Sequence, residues 1–223
     1  MPKTDNTYRI GIPIYNGVDL MDIAAPREMF SWMGHYWEKD PVAPRHVKIQ
    51  LIAATLDIVR TRDGLKLTPE TTFDQVTHHL DLLWVPGADP DGLAVAMNDP
   101  VYLGFLKRQS EGAGYVTSVC EGALLLASAG LLDGYEATTH WAFIPCLQSY
   151  KQVKVAAGYP RFIVDRNRVT GGGISSGLDE ALELVKRICG EAIAIQVQQV
   201  TQYYPCPPID SKIPGSNTCP LDS

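Results

Sequence analysis

The chain has 223 residues, 45% of them hydrophobic and 20% charged, with a formal net charge of -6 and a pI near 5.3. A chain of that length can bury a substantial core, as one large domain or two small ones. The acidic balance argues against a nucleic-acid binder, which usually carries a basic face.

The start, Met1 to Thr7, has no apolar signal core. Tyr8 to Tyr15 is an apolar run of strand length, the pattern of a strand covered on both faces. A turn at Asn16-Gly17 follows, and a helix is expected after Ala25, with Pro26 in its first turn. Asp22 then falls in the approach to that helix, just beyond the first strand, where open parallel sheets gather functional groups. A solvated helix cap is the other reading of Asp22.

His46 to Ala54 reads as a second strand, and Asp57 to Leu67 as a small hairpin turning at Asp63-Gly64. Leu80 to Val85 is a third buried strand. It stops at Pro86-Gly87-Ala88, a sequence that can present backbone N–H groups to a cleft or be a plain turn. Pro100 to Ser110 is a surface helix with Tyr102, Leu103 and Leu106 on its inner face.

Tyr115 to Val119 is a β-type run and Ala123 to Ala129 a helix former, with Cys120 at the junction. Ser118 and Gly122 flank it at the offsets where a tight strand-to-helix turn needs small residues. Such a turn sets the thiol at a helix N-terminus, where free N–H groups favour thiolate. An ordinary buried cysteine fits the same junction. The longest apolar run, around Gly122 to Leu132, is too short and too broken to span a bilayer.

Ala137 to Trp141, with His140, reads as a short β-type run, and Arg161–Val164 with Arg168–Thr170 as a hairpin. Thr170 to Gly177 has neither Gly-x-Gly-x-x-Gly spacing nor a Lys-Ser/Thr ending, so nucleotide binding is rejected. From Ser176 to about Tyr204 the apolar spacing predicts a long helix, broken near Gly190, before an extended Pro-rich tail from about 205. The five cysteines, at 120, 146, 189, 206 and 219, make neither a Cys-x-x-Cys pair nor a zinc pattern. Their odd, scattered count fits a reducing compartment better than a disulfide framework, so the cytosol is the expected location. Alternating strand and helix signals, with no repeat or linker, imply one α/β domain over 1–223, a mostly parallel sheet with helices on both faces.

Six stretches in order carry a resemblance over about Arg9 to Pro208. They are Leu20–Pro26, Val85–Ala88, Tyr115–Cys120, Ala127–Leu132, Ala137–Trp141 and Thr170–Ile174. Together they resemble the PfpI/ThiJ-like superfamily, relatives of class I glutamine amidotransferases, and within it the isocyanide hydratase branch. The resemblance implies a flavodoxin-like sandwich, a homodimer and a small-molecule substrate; from charge, run length and the implied chemistry, no nucleic acid, membrane, metal or cofactor is expected. It implies Cys120 as nucleophile with Asp22 beside the sulfur as acid/base. Glu121, Gly87, Ala88, His140, Trp141, Thr170 and Gly171 would border or support the substrate.

The implied reaction adds water to an isocyanide through a thioimidate on Cys120, giving an N-formamide. The hydratase branch resembles Cys-Thr-Gly at the elbow and Gly-Gly in the cleft loop, where this chain has Cys120-Glu121-Gly122 and Gly87-Ala88. A carboxylate at Glu121 opposes thiolate formation unless one of the acids is protonated. Glyoxalase-type chemistry, amide hydrolysis, specialised-metabolism tailoring and a non-enzymatic redox-sensing cysteine stay open as alternatives. A regulator is not expected, since no basic helix–turn–helix segment is read along the chain.

Overall fold

The computed structural model describes residues 6–222; the reading of Met1 to Asp5 as free of a signal core lies outside them. Strand β1 (Thr7–Pro13) leads into helix α1 (Leu20–Trp37), and β2 (His46–Ala53) returns beside β1 in parallel. The chain then makes the small antiparallel hairpin β3 (Val59–Arg60) and β4 (Lys66–Leu67) and the short strand β5 (Thr71–Thr72). Next come β6 (Leu82–Val85), α2 (Pro90–Met97), α3 (Pro100–Ser110), β7 (Tyr115–Ser118) and α4 (Gly122–Ser128). The last third holds β8 (Glu136–Ala137), α5 (Ile144–Gln148), β9 (Lys154–Val155), β10 (Phe162–Asp165) and β11 (Arg168–Gly171), then α6 (Ser176–Cys189) and α7 (Glu191–Val200).

The central sheet has the order β10-β11-β7-β6-β1-β2-β5, parallel at every pairing except the β10–β11 hairpin. This is the mostly parallel α/β sheet that the alternating signals imply, in the flavodoxin-like form that the resemblance implies. Two-residue periodicity divides the core. Leu82 and Trp84 of β6 face one cluster with α1, α6 and α7, while Leu83 and Val85 face the other with α3 and α4. Strand β1 lies between β2 and β6, so connections leave it on both sides and the crevice at its carboxyl end is the switch point of the sheet.

Four expectations are corrected. Helix α1 begins at Leu20, so Asp22 lies in its first turn and Pro26 inside it. Proline has no N–H to give the carbonyl four residues back. The freed Asp22 carbonyl instead accepts the Trp84 indole N–H at 2.9 Å. Beyond β8 the stretch Thr138 to His140 is irregular and leads into a short 3-10 turn, Trp141–Phe143, whose Ala142 N–H donates to His140 Nδ1 at 3.3 Å. Cys146 and Cys219 form a disulfide across 73 residues, against the reading of the cysteines as unpaired. Such a pair leaves no local spacing signal, because the fold alone brings α5 and the tail together. The fourth correction concerns the Cys120 thiol. No helix among the described residues is long and apolar enough to cross a membrane.

Candidate active site

The carboxyl ends of β1, β6, β7 and β11 converge on Cys120. β7 ends at Ser118 and α4 starts at Gly122, so the chain must reverse within three residues, and Cys120 takes φ 56. That left-handed backbone is costly for a residue with a side chain and persists where surroundings over-determine it. Here the Cys120 N–H donates to Gly172 O at 2.7 Å, and the Thr139 hydroxyl donates to Cys120 O at 2.7 Å. Gly122 is required because a Cβ there would run into the Val85 carbonyl.

The side chains around the sulfur are acidic. Asp22 is fully buried, and its Oδ2 accepts the Gly87 N–H at 2.9 Å. Glu121 points inward, 4% exposed, its Oε2 against Gly87, where a Cβ would run into it. Asp19 sits at the rim, held by Arg62 at 2.6 Å. Donor atoms of Asp19, Asp22, Cys120 and Glu121 lie within 4.8 Å of one another, a set that could hold a cation. Asp22 Oδ1 and Glu121 Oε2 are buried without a hydrogen-bond partner.

Burial decides the charges. Desolvation, then the neighbouring Glu121, pushes the Asp22 carboxyl well above the usual range. Glu121 is pushed up to about 7, again by desolvation first. Cys120 is raised well above a free thiol by burial, then by Asp22 and Glu121; only the Ile174 N–H pulls the other way. The expected thiolate is therefore corrected: a sulfur 1% exposed between two acids is a thiol at rest. A seven-residue helix such as α4 does not outweigh that burial.

His140 and Trp141 lie beyond Glu121. His140 Nδ1 is 3.8 Å from Glu121 Oε1 but accepts the Ala142 N–H, so that nitrogen carries no proton for Glu121. Burial also lowers the His140 pKa, which keeps the ring neutral. Thr170 Oγ1 accepts the Thr138 N–H at 2.9 Å, clamping the segment that carries Thr139 and His140 to β11, where Gly171 ends the strand. Thus the structure brings Cys120, Asp22, Glu121, Gly87 and Ala88 into one cluster. It puts His140 and Trp141 at its edge, with Thr170 and Gly171 as support.

Sequence reasoning missed five residues of this region. Tyr15 lies below the cluster, its hydroxyl on Pro86 O at 3.1 Å, and Asp19 is at its rim. Both follow the first strand, a position that could have flagged them. Thr139 and Ile174 lie inside stretches already singled out, but their roles are backbone contacts that carry no pattern. Glu180, fully buried, shares the inner face of α6 with Gly177, Ala181 and Leu184, an apolar stripe on which a carboxyl is conspicuous. A larger cavity, about 800 Å³ and lined by Tyr15, Phe73 and Tyr102, does not include Cys120, Asp22 or Glu121. Chemistry rather than size locates the site.

Residues 8–187 match the model of the DJ-1/PfpI family. Over 208 residues the chain is 36% identical to an isonitrile hydratase of Pseudomonas putida, covering 93% of this chain and 84% of that one. An HTH-type transcriptional regulator, GbdR, of Pseudomonas aeruginosa is 31% identical over 63% of this chain, which spans only 37% of the regulator. A solved ThiJ/PfpI family structure from Pseudomonas syringae superposes with a TM-score of 0.81 at 33% identity, covering 92% of this chain and 78% of that one.

Proposed function

The chain belongs to the DJ-1/PfpI family, and from that premise we propose that it is a lyase adding water to an isocyanide to give an N-substituted formamide. The observation that carries the reading is the pairing of a thiol at Cys120 with two buried carboxyl groups, Asp22 and Glu121, whose donor atoms lie within 4.8 Å of one another. Asp22, its pKa raised well above the usual carboxylate range by burial, is the proton donor of this reading; Glu121, near 7, can give one up or take one.

In the first step the Cys120 sulfur attacks the isocyanide carbon and Asp22 delivers its proton to that same carbon. Glu121, its carboxyl beside the thiol, takes the thiol proton. A C–S bond forms, the N–C multiple bond loses one order, and the product is a thioimidate. In the second step water adds to the carbon, Asp22 regains a proton from that water, and Glu121 returns its proton to the imine nitrogen. The C–S bond then breaks, the hydroxyl proton passes to the departing sulfur, and the formamide leaves with the thiol restored. Every proton is accounted for by these two acids, the thiol and water.

The same reading takes the whole chain as one domain, acting on a small molecule as a homodimer. Gly87 and Ala88 position the acids by backbone N–H groups, and His140, Trp141, Thr170 and Gly171 border or support the substrate. A redox-sensing role has less support, because a thiol 1% exposed and held protonated oxidises slowly. The test is purified protein with a panel of isocyanides, methylglyoxal and simple amides, following products by mass spectrometry. Formamide from isocyanides that disappears in Cys120→Ser supports the reading; turnover of only the other substrates sinks it.

A further inference from the structure

We infer that Ile213, on the C-terminal tail, is the outer wall of the substrate pocket and sets how well it holds a bulky substituent over a small one; this rests on the hydratase reading. A cavity of about 310 Å³ lies beside the cluster; Cys120, Asp22 and Glu121 do not line it, but Thr139, His140, Trp141, Tyr159, Ile174 and Ile213 do, among others. Two of these touch the cluster: the Thr139 hydroxyl holds the Cys120 carbonyl, and His140 Nδ1 lies 3.8 Å from Glu121 Oε1. An apolar cavity of about 150 Å³ already takes a benzene, so this one has room for a ring and its linker.

The cavity offers no free charge to a substituent. Its guanidinium, Arg161, is consumed by Asp179 at 2.7 Å, by the Ser175 hydroxyl at 2.9 Å and by the Ser175 carbonyl at 2.8 Å. His140 is neutral for the reasons above. Trp141, Tyr159, Ile174 and Ile213 leave apolar surface, which rewards burial of a hydrocarbon group.

Ile213 comes from a segment with no helix or strand, so something must hold it in place. Two contacts do. Gly215 passes so close to Tyr159 that a Cβ there would lie 2.8 Å from the hydroxyl. Farther on, Cys219 is bonded to Cys146 of α5, the helix that directly follows the Trp141 turn, and Cys219 and Leu221 pack on the core. The disulfide thereby fixes the tail against the same short stretch that forms the inner wall.

Two measurements test this on Ile213→Ala, with Ile213→Leu as the conservative control. The first compares methyl and cyclohexyl isocyanide. For Ile213→Ala, kcat/KM for the cyclohexyl compound should fall about tenfold, mostly through KM, with the methyl compound changed less than twofold. Ile213→Leu should restore most of the loss. The second uses no isocyanide. Alkylation of Cys120 by N-benzyliodoacetamide relative to iodoacetamide, read by peptide mass spectrometry at alkaline pH, should fall severalfold in Ile213→Ala. The same ratio at the exposed Cys206 should stay put. The Cys146→Ser/Cys219→Ser pair should reproduce the fall. If wild type hydrates no isocyanide but the alkylation ratio falls at Cys120, the wall stands and the hydratase reading fails. An unchanged ratio at Cys120 in a folded Ile213→Ala protein overturns the inference, whatever the enzyme turns over.

Discussion

The Gly87 N–H donates to Asp22 Oδ2 at 2.9 Å, and the other oxygen of that carboxyl, Oδ1, is buried with no partner. An oxygen that accepts a backbone N–H is a poor place for an acidic proton. The proton of a neutral Asp22 therefore belongs on Oδ1, where no protein acceptor competes for it. The elbow next to it supplies Cys120, so a carboxyl group and a thiol face the same space. Gly87 thus does two things, fixing the carboxyl and deciding which of its oxygens is free to act.

Asp22→Asn keeps the acceptor for Gly87 and removes the titrating proton. Formamide production should fall by about 10²-fold or more, the usual scale for a lost general acid or base, with the melting temperature little changed. Wild-type turnover in this variant would remove Asp22 from the proton path.

Glu121 gives a pH dependence whose sign is fixed by its role. In the proposed reaction it must be ionised to take the thiol proton, and its pKa is pushed up to about 7. Hence kcat/KM should rise with pH through about 7 in wild type, and that limb should vanish in Glu121→Gln along with much of the rate. A rising limb that persists unchanged in Glu121→Gln would assign it to another group.

The sheet, the elbow and the gathering of groups at strand ends were legible because they are written in periodicity and in small residues flanking Cys120. The inward side chain of Glu121 is the favoured reading of a residue directly after an elbow, though such a residue can face either way until Gly87 packs against it. The start of α1 was misread because Pro26 looks like a first-turn proline. Only the Trp84 indole on the Asp22 carbonyl makes an interior position tolerable. The Cys146–Cys219 pair and the place of Ile213 depend on where a tail without periodicity crosses the molecule, which no local pattern records.

Burial reverses the labelling order that an elbow thiolate would give. Cys206 is exposed, whereas Cys120 is buried and its thiol is held well above the ordinary range. Brief iodoacetamide treatment near neutral pH should modify Cys206 first, with Cys120 reacting only at clearly alkaline pH. Cys189, half-buried and raised to about 12, should lag as well. Preferential labelling of Cys120 at pH 7 would show that the acids beside it do not suppress thiolate formation.

Glu180 should make the protein less stable as pH rises. It is fully buried, both its carboxyl oxygens lack partners, and desolvation, then Asp22, raises its pKa well above 4.5. The folded state therefore keeps a proton that the unfolded chain loses above its ordinary value. With fewer protons bound in the unfolded state, stability declines with pH from that value up to the folded pKa, by at most roughly 1.4 kcal/mol per pH unit. Glu180→Gln retains the shape and cannot ionise in either state. A buried amide without partners carries its own penalty of about 1–3 kcal/mol, so the slope is the quantity to compare rather than the absolute level. Urea unfolding between pH 5 and 8 should show a shallower decline in Glu180→Gln than in wild type. Asp22 and Glu121 titrate in both proteins, so part of the decline remains in the variant. Parallel stability curves would mean that the Glu180 carboxyl reaches water or an unseen partner and folds at its ordinary proton affinity.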